Sequence, residues 1–226
     1  IATDETDFSY KQALSRFVVG NLEFGPKNEE YITIQKGKAE GELIGGNLSL
    51  TRGMVAGKYS LDFTDKILFL EELGFETDPE ATSNNIYYMK QNGIFDKIKG
   101  LWIGNYEHES GISLEKIILD VLDGEYKFPI IKSNNFGHIE RKTVIPIGTK
   151  AEINTDEDVK IKLVECPFRD GSIWDIGSVW DIFFKPQKQN FKNVSNRTVP
   201  NATKRQKKRC NNVWNMGRTR KFNSKL

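Results

Sequence analysis

Four consecutive apolar residues, Ile67, Leu68, Phe69 and Leu70, are followed at once by two carboxylates, Glu71 and Glu72. An unalternating apolar run of this length predicts a strand buried on both faces, with the two glutamates at its C-terminal end. Around it the pattern changes period. Thr77–Asn92 reads as a helix, with Asp78 as N-cap, Pro79 in the first helical position and Gly93 just past the end. Gly100–Gly104, GLWIG, reads as the next strand. Ser113–Leu122 reads as a second helix, capped by Ser113, with Leu114, Ile117, Ile118, Val121 and Leu122 on one face and Gly124 as its stop. Phe128–Ile131 reads as a third strand. The alternation predicts a parallel βαβαβ core with crossover helices.

The flanking segments are less regular. Phe8, Ala13, Leu14, Phe17 and Val18 predict a short amphipathic helix within Thr6–Val19, and Asn21–Glu30, with Gly25–Pro26, reads as a linker before a strand that opens at Tyr31–Ile34. The run Lys36–Asn47 carries glycines at 37, 41, 45 and 46. Its spacing is not that of a phosphate-binding loop, and Gly45–Gly46 is expected to bend the backbone or let it approach a neighbour closely. Asn47 is expected to cap a short helix over Leu48–Val55. At the other end, Thr149–Ile153 and Val159–Glu165 predict a hairpin, since Val159, Ile161 and Leu163 alternate with polar positions around the turn Asn154–Asp158.

Composition adds a boundary. The 226 residues are 38% hydrophobic, enough for one substantial core. Ile1–Phe184 holds 20 basic and 31 acidic residues, whereas Lys185–Leu226 holds 13 basic residues and no acidic one. The expected organisation is therefore a helix and linker over 1–30, a domain over 31–165, and an aromatic then basic tail over 166–226 read as disordered. No apolar run nears the roughly 20 residues of a membrane span, and no signal peptide opens the chain, so a cytoplasmic setting and no membrane partner are expected. Cys166 and Cys210 stand far apart, without a His or second Cys at metal spacing, so neither a metal nor any other cofactor is expected.

Candidate chemistry collects at strand ends. In open α/β sheets, ligands bind beyond the C-terminal ends of parallel strands, which makes Glu71 and Glu72 site candidates. The third strand runs into Ser133-Asn134-Asn135-Phe136-Gly137-His138 at the same edge, so His138 can face a glutamate. A carboxylate beside an imidazole fixes its tautomer and stabilises the imidazolium, as a general base serving a nucleophile requires. His108 has no such strand end beneath it and reads as a loop histidine.

The segments GELIGGNLSL (Gly41–Leu50), KILFLEE (Lys66–Glu72), NGIFDKIKGLWIGNYE (Asn92–Glu107) and FGHIERKTVIPIGTKAEI (Phe136–Ile153) resemble the C-terminal domain of the LD-carboxypeptidases, a family that includes muramoyltetrapeptide carboxypeptidases and microcin C self-immunity peptidases. The resemblance spans about Thr6–Glu165 and implies a swivelling β/β/α-type domain. It implies a serine peptidase whose Ser-Glu-His triad is split between two domains, with the glutamate at Glu71 and the histidine at His138. Asn47, in the family's GGN motif, would line the substrate site. The implied substrate is a murein tetrapeptide or a peptide-nucleotide, and the implied partner is an N-terminal domain carrying the nucleophilic serine. A homodimer is compatible with the same resemblance. No serine here stands in a nucleophile-elbow context, so the chain alone is expected to be inactive. An alternative reading is a nucleic-acid-binding module acting through Lys204–Arg209, KRQKKR, with Trp214 and Phe222 as stacking surfaces.

Overall fold

The computed structural model describes residues 8–13, 22, 24, 30–165 and 167. The chain divides into one unit of residues 1–13 and 22–165 and another of 14–21 and 166–226; apart from Pro167, the described residues belong to the first. The basic tail and both cysteines lie outside the described residues, as does the second half of the helix expected over Thr6–Val19, of which residues 8–13 are helical.

Seven strands form one mixed sheet. In chain order the elements are β1 (Ile32–Gln35), β2 (Lys38–Asn47), α1 (Leu48–Arg52), β3 (Lys66–Glu71), α2 (Pro79–Gln91), α3 (Ile94–Lys97), β4 (Gly100–Ile103), α4 (Leu114–Leu122), β5 (Ile130–Lys132), β6 (Lys150–Asn154) and β7 (Ile161–Leu163). The sheet order is β1-β5-β4-β3-β2-β6-β7. Strands β2, β3, β4 and β5 run parallel, while β1 pairs antiparallel with β5, β6 with β2, and β7 with β6. The parallel core, its two crossover helices and the flanking hairpin thus stand as the sequence predicts, while the helix after Asn47 ends at Arg52 rather than Val55.

Of the two roles expected of Gly45–Gly46, close approach holds and a bend does not: the glycine-rich run forms most of β2, a ten-residue strand between β3 and β6 that adds a fourth parallel member to the core. Glycine serves there because the neighbouring backbone comes close. A Cβ on Gly45, at φ +136°, would lie 1.9 Å from the Phe69 carbonyl oxygen. The short α3 was also unexpected: Gly93, left-handed at φ +66°, ends α2 and redirects the chain into one further turn.

Only Lys36 and Gly37 separate β1 from β2, although three strands lie between them in the sheet. The sheet therefore has to curl until its flanks approach. Gly37 continues the β2–β6 pairing into the β6–β7 turn: its N–H donates to Thr155 Oγ1 at 3.0 Å, and its carbonyl accepts from the Thr155 N–H at 3.2 Å.

Curling gives the sheet two buried faces. On the inner face Leu43, Ile67, Phe69, Trp102, Ile131, Ala151, Ile153, Ile161 and Leu163 form one core with Phe24, Tyr31 and Phe136. On the outer face Leu68, Leu70, Leu101, Ile103 and Ile130 pack under the helices against Ile86, Met89, Leu114, Ile117 and Ile118. Strand side chains alternate between faces, so an apolar run without alternation is what a doubly covered strand requires. Burial of each of Ile67–Leu70 contributes about 1.5–3 kcal/mol. Among the described residues no helix is long and apolar enough to cross a membrane.

Candidate active site

The parity of β3 decides what its two glutamates do. Ile67 and Phe69 face the inner core, and Glu71 continues that face. Its side chain is 9% exposed, and Oε2 lies 2.8 Å from His138 Nδ1. An ionised carboxylate can only accept, so the shared proton belongs on Nδ1, and the lone pair of Nε2 is left for other chemistry. The His138 side chain is 48% exposed, so that second nitrogen is accessible.

Glu72 turns the other way and is 3% exposed. It accepts from Asn47 Nδ2 at 2.8 Å, from the Ser49 N–H at 2.9 Å, from the Ser49 hydroxyl at 2.5 Å and from the Leu73 N–H at 2.9 Å. These bonds tie the start of α1 to the end of β3. Asn47 is paired in register with Glu71 at the adjacent strand end. Its side chain caps α1 by accepting from the Leu50 N–H at 3.2 Å and also holds Glu72. One amide N–H and one oxygen lone pair of Asn47 remain beyond these two bonds.

His138 owes its position to a loop fixed on both sides. Trp102 Nε1 donates to Ser133 Oγ at 2.8 Å, Ser133 Oγ donates to Asn135 Oδ1 at 2.6 Å, and Asn135 Nδ2 donates to Tyr31 Oη at 3.2 Å. All four residues are buried, where an unmade bond would be costly. Phe136 then drops into the inner core, with ring centroids 4.6 Å from Trp102 and 5.9 Å from Phe69. Gly104 leaves room for it: a Cβ there would meet the Phe136 ring at 2.5 Å. Downstream, the Thr143 N–H donates to the Asn135 carbonyl at 2.6 Å, and Gln12 of the helical segment 8–13 bonds the Thr143 hydroxyl and the Val144 N–H. Hydrophobic period alone points to none of these supports; in the sequence their one signal is the aromatic and glycine that precede His138.

Lys132, the last residue of β5, pairs with Glu115 in the first turn of α4 at 2.7 Å. Burial by itself would raise the Glu115 carboxyl, but the Lys132 ammonium and hydrogen bonds from its own backbone and from Ser113 outweigh it, and the group sits below its ordinary value. His108 stands apart from Glu71 and His138 as a loop residue: its Nδ1 accepts from the Ser110 N–H at 3.2 Å and lies 2.8 Å from the Ser110 hydroxyl. Among the described residues no group of three His, Cys, Asp or Glu side chains could hold a metal.

Comparison with known proteins gives this geometry a family. The profile of the LD-carboxypeptidase C-terminal domain matches residues 40–153. A "Probable murein peptide carboxypeptidase" of Bacillus subtilis (strain 168) is 28% identical over 175 residues, covering 75% of this chain and 49% of the relative. The microcin C7 self-immunity protein MccF of Escherichia coli is 28% identical over 126 residues, covering 53% of this chain and 36% of the relative. The chain thus spans about half the length, or less, of these curated relatives. Among solved structures, wild-type MccF in its apo state superposes with a TM-score of 0.62 at 19% identity, over 73% of this chain and 57% of MccF. The muramoyltetrapeptide carboxypeptidase of Oxalobacter formigenes does so with a TM-score of 0.54 at 20% identity, over 72% and 55%. The curled mixed sheet is the fold of these proteins, and with a matched domain that occupies half its length the chain belongs to the LD-carboxypeptidase family.

Proposed function

We propose that this chain supplies the glutamate and histidine of a Ser-Glu-His triad in a serine-type carboxypeptidase, with Glu71 and His138 in those roles and the nucleophilic serine on a domain outside the chain. The observation that carries the reading is the 2.8 Å contact between His138 Nδ1 and Glu71 Oε2 at the C-terminal edge of the parallel strands. Glu71 holds the Nδ1–H tautomer, so Nε2 can take the proton of an incoming serine hydroxyl as it attacks the scissile carbonyl. Glu71 then stabilises the imidazolium, which returns the proton to the leaving amine. The backbone donors that stabilise the developing oxyanion would come from the domain that brings the serine.

The substrate class follows the relatives. One is named for murein peptides, and MccF has been solved in complexes with glutamyl sulfamoyl guanosine and aspartyl sulfamoyl adenosine. The proposed substrate is therefore a murein-derived tetrapeptide or a peptide-nucleotide, cleaved in the cytoplasm, with the spare N–H and lone pair of Asn47 directed at it. The test joins this chain to the N-terminal domain of a family member and follows release of D-Ala from murein tetrapeptide and hydrolysis of an aminoacyl sulfamoyl adenosine. The joined protein is expected to turn over one of the two and the chain alone neither. Turnover by the chain alone would overturn the split triad.

A further inference from the structure

Gly137 precedes His138 in the chain and packs against the side chain of Glu71, the other member of the proposed dyad. A Cβ built on it would meet Glu71 three times: Oε2 at 3.0 Å, Cβ at 3.1 Å and Cγ at 3.3 Å. The Glu71 side chain therefore lies along the Gly137 backbone for most of its length, and the same Oε2 bonds His138. Gly137 also has φ +116°, a conformation that L side chains rarely adopt. The loop cannot retreat cheaply, because Phe136 is seated in the inner core with its carbonyl accepting from the Asn105 N–H at 3.1 Å, and Thr143 holds Asn135.

We propose that Gly137 is a positioning residue for the dyad: its missing side chain is the space through which the Glu71 carboxylate reaches His138 Nδ1. This rests on the reading of Glu71 and His138 as partners. A methyl at position 137 would meet Cβ of Glu71, which cannot move without the strand, as well as Cγ and the carboxylate, which side-chain rotation can carry away. Rotation of the carboxylate away from His138 is the cheapest relief. The residue thus acts through Glu71 rather than on the substrate.

The chain has only two histidines, and they carry their protons differently, which makes the effect readable without catalysis. His108 Nδ1 accepts a backbone N–H, so its proton sits on Nε2, whereas the proton of His138 sits on Nδ1. Imidazole ¹⁵N spectra of the full chain at a pH where both rings are neutral separate the two tautomers. Gly137→Ala and Glu71→Gln are each expected to abolish the Nδ1–H signature of His138 and leave His108 unchanged. Gly57→Ala controls for backbone strain alone, because Gly57 also has positive φ, +91°, but among the described residues nothing lies within 4 Å of its Cβ position; it is expected to keep the signature. Retention of the signature in Gly137→Ala with loss in Glu71→Gln overturns the role of Gly137 and leaves the dyad standing. Retention in Glu71→Gln, or its absence from the unmodified chain, overturns both. A Gly137→Ala chain that no longer folds by circular dichroism also overturns the inference, since the effect would then reach beyond the pair.

Discussion

Glu71 and Glu72 are neighbours in the chain and work on opposite sides of the strand end: Glu71 bonds His138 against the inner face, while Glu72 bonds Asn47 and Ser49 at the start of α1. Their substitutions are therefore expected to separate activity from stability.

In a protein joined to the N-terminal domain of a family member, Glu71→Gln is expected to lower kcat by about 10⁴-fold and His138→Ala by about 10⁶-fold, the scales seen when a triad carboxylate and a triad base are lost. Thermal unfolding of each variant should match that of the unmodified protein. Full activity of Glu71→Gln would assign the triad carboxylate to another residue.

Glu72→Ala strands the Asn47 amide, the Ser49 and Leu73 N–H groups and the Ser49 hydroxyl around a buried position. The expected cost is about 3 kcal/mol in urea unfolding, because several donors lose a charged acceptor at once. The ¹⁵N signature of His138 should survive in the folded variant. A loss below about 0.5 kcal/mol, the range of ordinary surface changes, would mean that α1 is held by other contacts.

Gly104→Ala places a methyl 2.5 Å from the Phe136 ring. Overpacking of this kind is expected to cost about 1–3 kcal/mol. Because Phe136 carries the loop that ends in His138, turnover of the joined protein should fall as well. Phe136→Leu in the same chain should recover part of the lost stability, as a smaller side chain vacates the contested space; a double variant less stable than Gly104→Ala alone would refute the packing account.

The Glu115–Lys132 pair makes an acid-sensitive tie between α4 and β5. The folded carboxyl lies below its ordinary 4.5, so its stabilising contribution is present above that value and fades as the pH falls through the lower folded value. Melting curves taken from about pH 7 to about pH 3 should show Glu115→Gln less stable than the unmodified chain at the upper end and converging with it at the lower. A gap that stays constant across the range would place the effect of the substitution outside the ion pair.

Local signals in the sequence determined the parallel core. The unbroken run Ile67–Leu70, the caps Asp78 and Ser113, the stops at Gly93 and Gly124 and the alternation in Val159–Leu163 each act over a few residues, and propensity and burial act at that range. Those signals also placed Glu71 and His138 at one sheet edge, since parallel strands must end on the same side. The strand β2 escaped because its glycines serve neither propensity nor pattern: Gly45 is required by the Phe69 carbonyl of the next strand, a contact set by sheet order. Which of Glu71 and Glu72 meets His138 follows from the face of the curled sheet that each continues, and the curl follows from the two-residue link between β1 and β2, strands that stand three apart in the sheet. The pairing of His138 with Glu71, 67 residues apart, likewise depends on Phe136, Gly104, Trp102 and Gln12 meeting around one loop. Composition and period carry no information about which distant residues meet. Packing supplies it, because only one arrangement buries both faces of the sheet and satisfies the polar groups between them.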